Sequence, residues 1–436
     1  VAIAIGAGWP RNWGPLIAGD LKATTKHELY DRGLVPVAKS GWTKPEGVQS
    51  DYPVLDVDIT TEIAIVGAGL AGTSLAVHLA ELGVNVVVLE AKTPGWGASG
   101  RNAGHVLPIL KDMEVLQGFP EGGKQFLDAF REHHTIPYDL SVKYGIDGDA
   151  VQSGYLNAMT SQGAFDKFKD QMSYLKNAGL PAPIDVGGAD MHTMTGTKYW
   201  THGLVFPTGG RVNPYLLSNG LAKAAMKLGA KVYEKSAATH LEPHGKRWKL
   251  RTKNGSVVAD RVVFCTNAYP HGVVPEFATS FYPLTAYGLT TKPLSAAAQQ
   301  AIMPGGQTLA QAPVDLNPLV KDRHNRLILS SIPTVSAPEN AAWHFKNQLK
   351  WLHKVWPQTR DMGIELETYW TGRVAMRDRE FPGAYEVRPG VYGLMHFNAW
   401  GNVMAPLMGK LFAQGLAADD MASLPFPLVK PTAVAN

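Results

Sequence analysis

The chain has 436 residues, which at roughly 150 residues per domain predicts two or three domains and a large buried core. Hydrophobic residues make up 45% and charged residues 18%, below the roughly 25% charged of an average soluble protein, which excludes a disordered or coiled-coil chain. With 41 Lys and Arg against 37 Asp and Glu the net charge is +4 without a basic run, so neither nucleic acid nor an anionic membrane is an expected partner.

Residues 1–60 read as an arm punctuated by Pro10, Pro15, Pro36, Pro45 and Pro53, with one short helix candidate at 23–32. The apolar stretch 1–9 has no basic residue before it and is not read as a signal peptide. From residue 63 the pattern changes. An apolar strand at 63–66 meets a glycine turn at 67–72, a helix follows over 73–82, Gly83 closes it, and a second apolar strand at 85–89 ends at Glu90, which makes one βαβ unit. Helices are predicted at 121–145, 161–178 and 215–228, the last ended by Gly229 and followed by a strand at 231–233. Segments 248–252 and 256–259, split by Asn254-Gly255, read as a hairpin, and 261–264 as a buried strand. Segments 280–292 and 326–332 alternate like sheet strands; 339–356 is a helix, 365–370 and 391–395 are strands, and 403–417 is a closing helix. No apolar stretch is long enough to cross a membrane. The intermingling predicts an α/β or α+β chain with non-contiguous domains.

Gly67-Ala68-Gly69-Leu70-Ala71-Gly72 matches G-x-G-x-x-G, and its context gives it weight: it follows a strand, opens a helix and precedes an acid, Glu90. Gly67 permits a tight turn, Gly69 lets a pyrophosphate approach the backbone, and Gly72 lets helix pack on strand. The helix N-terminus offers unpaired N–H groups and the positive end of a dipole. Glu90 would accept hydrogen bonds from ribose hydroxyls and disfavours the 2′-phosphate of NADP. FAD and NAD remain open at this point, although a single fingerprint argues against an enzyme that uses both. The one cysteine, Cys265, excludes an intrachain disulfide and a Cys-cluster metal site; it reads as a core thiol, and a reducing compartment, the cytoplasm, is expected. His133-His134 lacks a second ligand pair, so no metal is expected.

At 95–104 the run GWGASGRNAG resembles a signature of the FAD-dependent oxidoreductases of the D-amino-acid oxidase superfamily, in the branch of glycine/sarcosine oxidases and γ-glutamylputrescine oxidoreductases. GLVFPTGGRVNP at 203–214, VVFCTNAYP at 262–270 and PGVYGLMHFNAWGNVMAPLMGKLFA at 389–413 are similar to further family segments in the family's order. The resemblance implies a Rossmann-type FAD-binding domain (61–149 with 206–269 and 376–420) and an antiparallel-sheet α+β substrate domain (150–205 with 270–375), leaving 421–436 as a tail. It implies FAD held by Gly67 to Gly72, by Glu90, Ala91 and Lys92, by Gly97, Ala98, Ser99, Arg101, Asn102, Ala103, Gly104 and His105, by Ala237, Thr266 and Asn267, and by Gly401, Asn402 and Val403. Here the sequence departs from the family: His396 and Ala399 replace common glycines, Trp400 stands where His or Gly is frequent, Ala103 replaces a Gly, His105 replaces Gln, and Ser330-Ser331 replaces a Gly pair.

The reaction so implied is oxidation of a C–N bond in a small amine or amino acid, with hydride transfer to flavin N5 and hydrolysis of the imine; the electron acceptor is oxygen, a quinone or a carrier. His105 and His396 are candidate bases or orienters. Tyr282, Tyr287 (sharing a sheet face with Thr285 and Leu289), Tyr369, Trp370, His396 and Trp400 are candidate pocket walls. Arg373 is a candidate carboxylate clamp, with an ion pair of Arg373 or Arg377 to Asp378 or Glu380 as the alternative. Competing readings are a flavoprotein oxidising a 2-hydroxy acid and a non-enzymatic assembly or binding factor.

Overall fold

The computed structural model describes residues 40–43, 52–110, 113–166, 168–270, 272–311, 317–332, 337–377 and 381–434. The helix expected at 23–32, most of the arm, and Asp378 and Glu380 lie outside the described residues.

Two eight-stranded sheets organise the chain. In the first, strand Asp58–Val66 pairs in parallel with Val86–Leu89 on one side and along its whole length with Ser256–Phe264 on the other. Lys231–Tyr233 extends the parallel set beyond Val86–Leu89, and Val391–Met395 extends it beyond Ser256–Phe264. Ser256–Phe264 is a single nine-residue strand where the sequence predicted two segments. Its first half closes an antiparallel hairpin with Arg247–Arg251, and its second half takes Val391–Met395 on that same edge. The apolar runs of the central strands reflect burial on both faces.

Helix Leu70–Glu81 starts three residues earlier than the sequence predicted, and from Leu70 to Ala80 every residue is buried. Its packing explains this. The closing helix Gly401–Ala417 and helix Pro214–Lys227 lie against it, and its Ser74 hydroxyl donates to the Pro406 carbonyl (2.8 Å). A Cβ on Gly409 would stand 3.0 Å from Leu75 N, so these two helices touch backbone to backbone. The fingerprint glycines carry the geometry their spacing predicts. Gly67 has φ +105°, and a Cβ on Gly72 would overlap the Gly67 carbonyl oxygen.

The second sheet runs in the order Leu366–Met376, Tyr282–Thr291, Leu327–Ser331, Leu319–Lys321, Thr308–Gln311, Tyr155–Met159, His202–Phe206, Ile184–Gly187. All its pairings are antiparallel except Thr308–Gln311 with Tyr155–Met159. Helix Ala341–Val355 covers one face, burying His344, Phe345, Gln348, Leu352 and Val355. The helix predicted at 121–145 is two, Lys124–His133 and Ile136–Lys143, and 161–178 likewise divides into Gln162–Asp166 and Lys169–Asn177. Among the described residues no helix is long and apolar enough to cross a membrane.

The helix–strand contact at Gly72 is testable. Gly72→Ala is expected to lose about 3 kcal/mol or more in urea unfolding, because the obstructing atom is backbone and cannot rotate away. Gly401→Ala, where a Cβ meets nothing within 4 Å, serves as the tolerant control.

Candidate active site

A cavity of about 490 Å³ opens at the carboxyl ends of the parallel strands, beside Val66, Leu89 and Phe264, and continues to Ala286, Ser330 and Gly372 of the second sheet. Open α/β sheets bind ligands at this end, where the strand order diverges. Two helix N-termini border it: Gly69, Leu70 and Ala71 begin one, Gly401, Asn402 and Val403 the other. Both therefore bring positive dipole ends to one space.

Three loops line the near end. Glu90 accepts from Ala68 N and Lys92 N, both at 2.8 Å, so its carboxylate is fixed by two backbone donors. Burial nevertheless pushes its pKa up. Ser99 Oγ accepts from Leu70 N (2.9 Å), and a Cβ on Gly69 would stand 2.7 Å from that oxygen. Asn102 and Asn402 exchange amide hydrogen bonds in both directions, at 3.1 and 3.0 Å, and Asn402 Nδ2 also donates to the His105 carbonyl (2.8 Å). This exchange clamps the 98–105 loop to the start of the closing helix. Arg101 donates to the carbonyls of Trp96 (2.7 Å) and Thr371 (3.0 Å), with its guanidinium 4.9 Å from the Trp96 ring.

Most residues assigned to the site from the sequence line this cavity: Gly67, Gly69, Leu70, Ala71, Glu90 to Lys92, Gly97 to Ser99, Arg101 to Ala103, His105, Ala237, Thr266, Asn267 and Gly401 to Val403, with Arg373 and Trp400. Ala68, Gly72 and Gly104 stand behind the lining as packing positions. His105 is buried, and its Nε2 lies 3.3 Å from the Leu319 carbonyl, which assigns the ring proton to Nε2. Burial pushes its pKa down to about 4, so the imidazole is neutral at pH 7. Trp400 lines the cavity and is also core, its Nε1 donating to the Leu107 carbonyl (3.2 Å). Burial pushes the Cys265 thiol up, keeping it protonated.

Two expectations, Tyr287 and His396, require correction. Tyr287 faces away from the cavity. Its neighbour Ala286 lines the space, alternation puts Tyr287 on the opposite face, and its ring packs 4.3 Å from His344 while its hydroxyl accepts from Gln348 (2.9 Å). Arg373 pairs with Thr285, whereas the cavity-lining pair is Ala286 with Gly372. Arg373 lines the cavity beside that pair, and its backbone N–H donates to the Tyr269 hydroxyl (3.1 Å). His396 is fully buried behind the lining, with Nδ1 2.8 Å from the Tyr385 hydroxyl and its ring packed on Phe281. Its pKa is held well below the usual histidine range by burial and by the nearby Arg377 charge. Of the other expected aromatic walls, Tyr282, Tyr369 and Trp370 do not line the cavity, and the sequence reading missed Trp96, Leu107, Tyr269, Pro318 and Val374 as lining residues. The Trp96 and Tyr269 rings meet edge to face at 5.6 Å, and each lies within a segment the sequence had already singled out.

Residues 62–415 match the family model described as FAD dependent oxidoreductase, and the chain belongs to that family of flavoenzymes. Among similar proteins, gamma-glutamylputrescine oxidoreductase of Escherichia coli (strain K12) is 27% identical over 374 residues, covering 84% of this chain and 86% of that protein. Mitochondrial sarcosine dehydrogenase of Mus musculus is 24% identical over 60% of this chain and 28% of its own length. Glycine oxidase from Geobacillus kaustophilus shares the fold with a TM-score of 0.68 at 20% identity, covering 86% of this chain and all (100%) of that one.

The buried histidines carry a pH prediction. Burial lowers His78 and His105 to about 4 and holds His396 well below the usual histidine range, so between pH 6.5 and 4 the unfolded chain binds protons that the folded chain does not. Stability is full above the unfolded pKa and falls as pH drops through that window, by up to about 1.4 kcal/mol per pH unit for each histidine. Urea midpoints at pH 7.5, 6 and 5 are expected to fall accordingly. His105→Gln should flatten the slope.

Proposed function

We infer that the protein oxidises the C–N bond of a small amine or amino acid. The observation that carries this reading is a continuous cavity that begins at the glycine fingerprint and ends in a largely apolar chamber beneath the second sheet, bordered by a histidine kept neutral. The names of the relatives, which include a gamma-glutamylputrescine oxidoreductase, a sarcosine dehydrogenase, a glycine oxidase and an iminodiacetate oxidase, point to the same chemistry.

The residues at the near end fit FAD. Gly69 leaves space that a Cβ would lose to Ser99, Gly401 opens on free space at a helix N-terminus, and Glu90 presents a carboxylate fixed by two amides. Gly67 to Ala71 and Ser99 would hold the pyrophosphate, Glu90 the ribose, and Asn102, Ala103 and Gly401 to Val403 the flavin end. When bound, FAD supplies a two-electron acceptor. This chain's own residues prepare the substrate. Ala286, Pro318, Gly372, Val374 and Trp400 exclude water, and an apolar wall disfavours ammonium, so the amine sits there with its lone pair free. With its proton on Nε2, His105 has Nδ1 as a hydrogen-bond acceptor, and its low pKa keeps it from adding a competing positive charge.

Glu90→Gln removes the charge while keeping one acceptor oxygen, and is expected to weaken FAD binding by about 1–3 kcal/mol, read as the FAD dissociation constant of the apoprotein. For the substrate class, anaerobic bleaching of the flavin by small primary and secondary amines should accelerate as pH rises toward the amine pKa. No further inflection is expected from His105 between pH 6 and 9. Bleaching by 2-hydroxy acids but not amines, or a profile flat with pH, would overturn the amine reading.

A further inference from the structure

Residues 40–43 carry the one tryptophan of the N-terminal region that the structure describes, and Trp42 is only 2% exposed. It is pinned to both halves of the molecule. Asn213, the residue capping helix Pro214–Lys227, donates Nδ2 to the Trp42 carbonyl (3.2 Å), and Arg326 of the second sheet donates to the Gly41 carbonyl (3.1 Å). Its ring fills the space under Gly104, where φ is +79° and a Cβ would come within 2.6 Å of the indole.

The polar edge of that ring points at the loop that lines the cavity. Trp42 Nε1 donates to the Asn102 carbonyl at 2.8 Å, and Trp370 Nε1 donates to the preceding carbonyl, that of Arg101, at 2.9 Å. Arg101, Asn102 and Ala103 line the cavity, and neither tryptophan does. Two consecutive carbonyls are thus turned away from the cavity toward two indoles. In a trans peptide the N–H points opposite to the C=O of the same unit, so the N–H groups of Asn102 and Ala103 are turned the other way. Neither has a hydrogen-bond acceptor among the described residues. Both residues are only half-buried, so these two donors open on the cavity, where an acceptor of a bound ligand can meet them.

We propose that Trp42, together with Trp370, is a positioning residue for the cofactor: the two indoles turn the Arg101 and Asn102 carbonyls outward and present the Asn102 and Ala103 N–H groups to acceptor atoms of bound FAD. The first strand of the nucleotide fold begins only at Asp58, so the arm supplies a part that the fold lacks. The proposal rests on the family's cofactor and not on the amine substrate, and it stands or falls separately from that reading.

The test replaces Trp42 with benzothienylalanine, an isosteric ring with sulfur in place of N–H, and separately makes Trp42→Phe. FAD dissociation constant, flavin absorption spectrum and apoprotein unfolding midpoint are measured for each. The expected result is an affinity loss of about tenfold, as for one hydrogen bond, a shift of the flavin absorption bands, and for the isosteric ring an apoprotein midpoint lowered only slightly, so that the apoprotein stays folded under the binding conditions. Benzothienylalanine at position 370 should reproduce it, which keeps the test open where Trp42→Phe misfolds. Unchanged affinity and spectrum would overturn the proposal, as would a loss of apoprotein stability that accounts for the whole loss of affinity.

Discussion

The contact between helix Leu70–Glu81 and the strand before it is a contact between backbones, with no side chain between Gly72 and the Gly67 carbonyl. Much of the rest depends on this closeness. It brings the helix N-terminus to the carboxyl end of the sheet, where the dipole can act on a ligand. It also buries the helix on all sides, so that Gly401–Ala417 and Pro214–Lys227 must flank it. The second N-terminus, at Gly401, reaches the same cavity because its helix is packed on the first. Two dipoles converge there as a consequence of one tight packing requirement.

Around that frame the site is held mainly by neutral hydrogen bonds. Asn102 and Asn402 trade amides across 300 residues of sequence, Ser99 meets Leu70, and Asn267 accepts from the His396 backbone at 2.8 Å. Buried charges would carry a heavy desolvation cost, and the histidines near the site remain uncharged. The cavity therefore changes from donor-rich at the fingerprint to apolar beneath the second sheet, a gradient suited to a charged cofactor tail and an uncharged reacting group.

Legibility from the sequence followed the range of the forces involved. The fingerprint was readable because its constraints are local: a positive φ at Gly67 and missing Cβ atoms at Gly69 and Gly72 depend on neighbours within one βαβ unit. Strands Tyr155–Met159, His202–Phe206 and Gly383–Arg388 left little trace, since the first two are buried on nearly every residue and alternate only weakly. Tyr287 was placed on a real strand but on the wrong face, and the strand expected at 365–370 runs on through Arg373 to Met376. Period-2 alternation tells which residues travel together, and only the partner sheet decides which set meets the cavity. His396 failed for a different reason: its ring is fully buried against Tyr385 and Phe281. Trp42 offered no periodicity at all, and its role rests on partners 60 and 171 positions away.

That loop also differs in its thermodynamics from its glycine-bearing counterparts. His396, Asn398 and Ala399 adopt φ values of +61°, +51° and +57°, a region that glycine occupies freely and L-residues only at a cost. The cost is met by fixed partners: Asn398 Oδ1 accepts from Arg377 N (2.7 Å), and its amide donates to the His396 carbonyl (3.1 Å). A side chain at each of these positions also narrows the range of shapes open to the unfolded chain, so less disorder is surrendered when the loop closes. The loop leading to Trp400 is thus held to one shape by its own composition and by those partners.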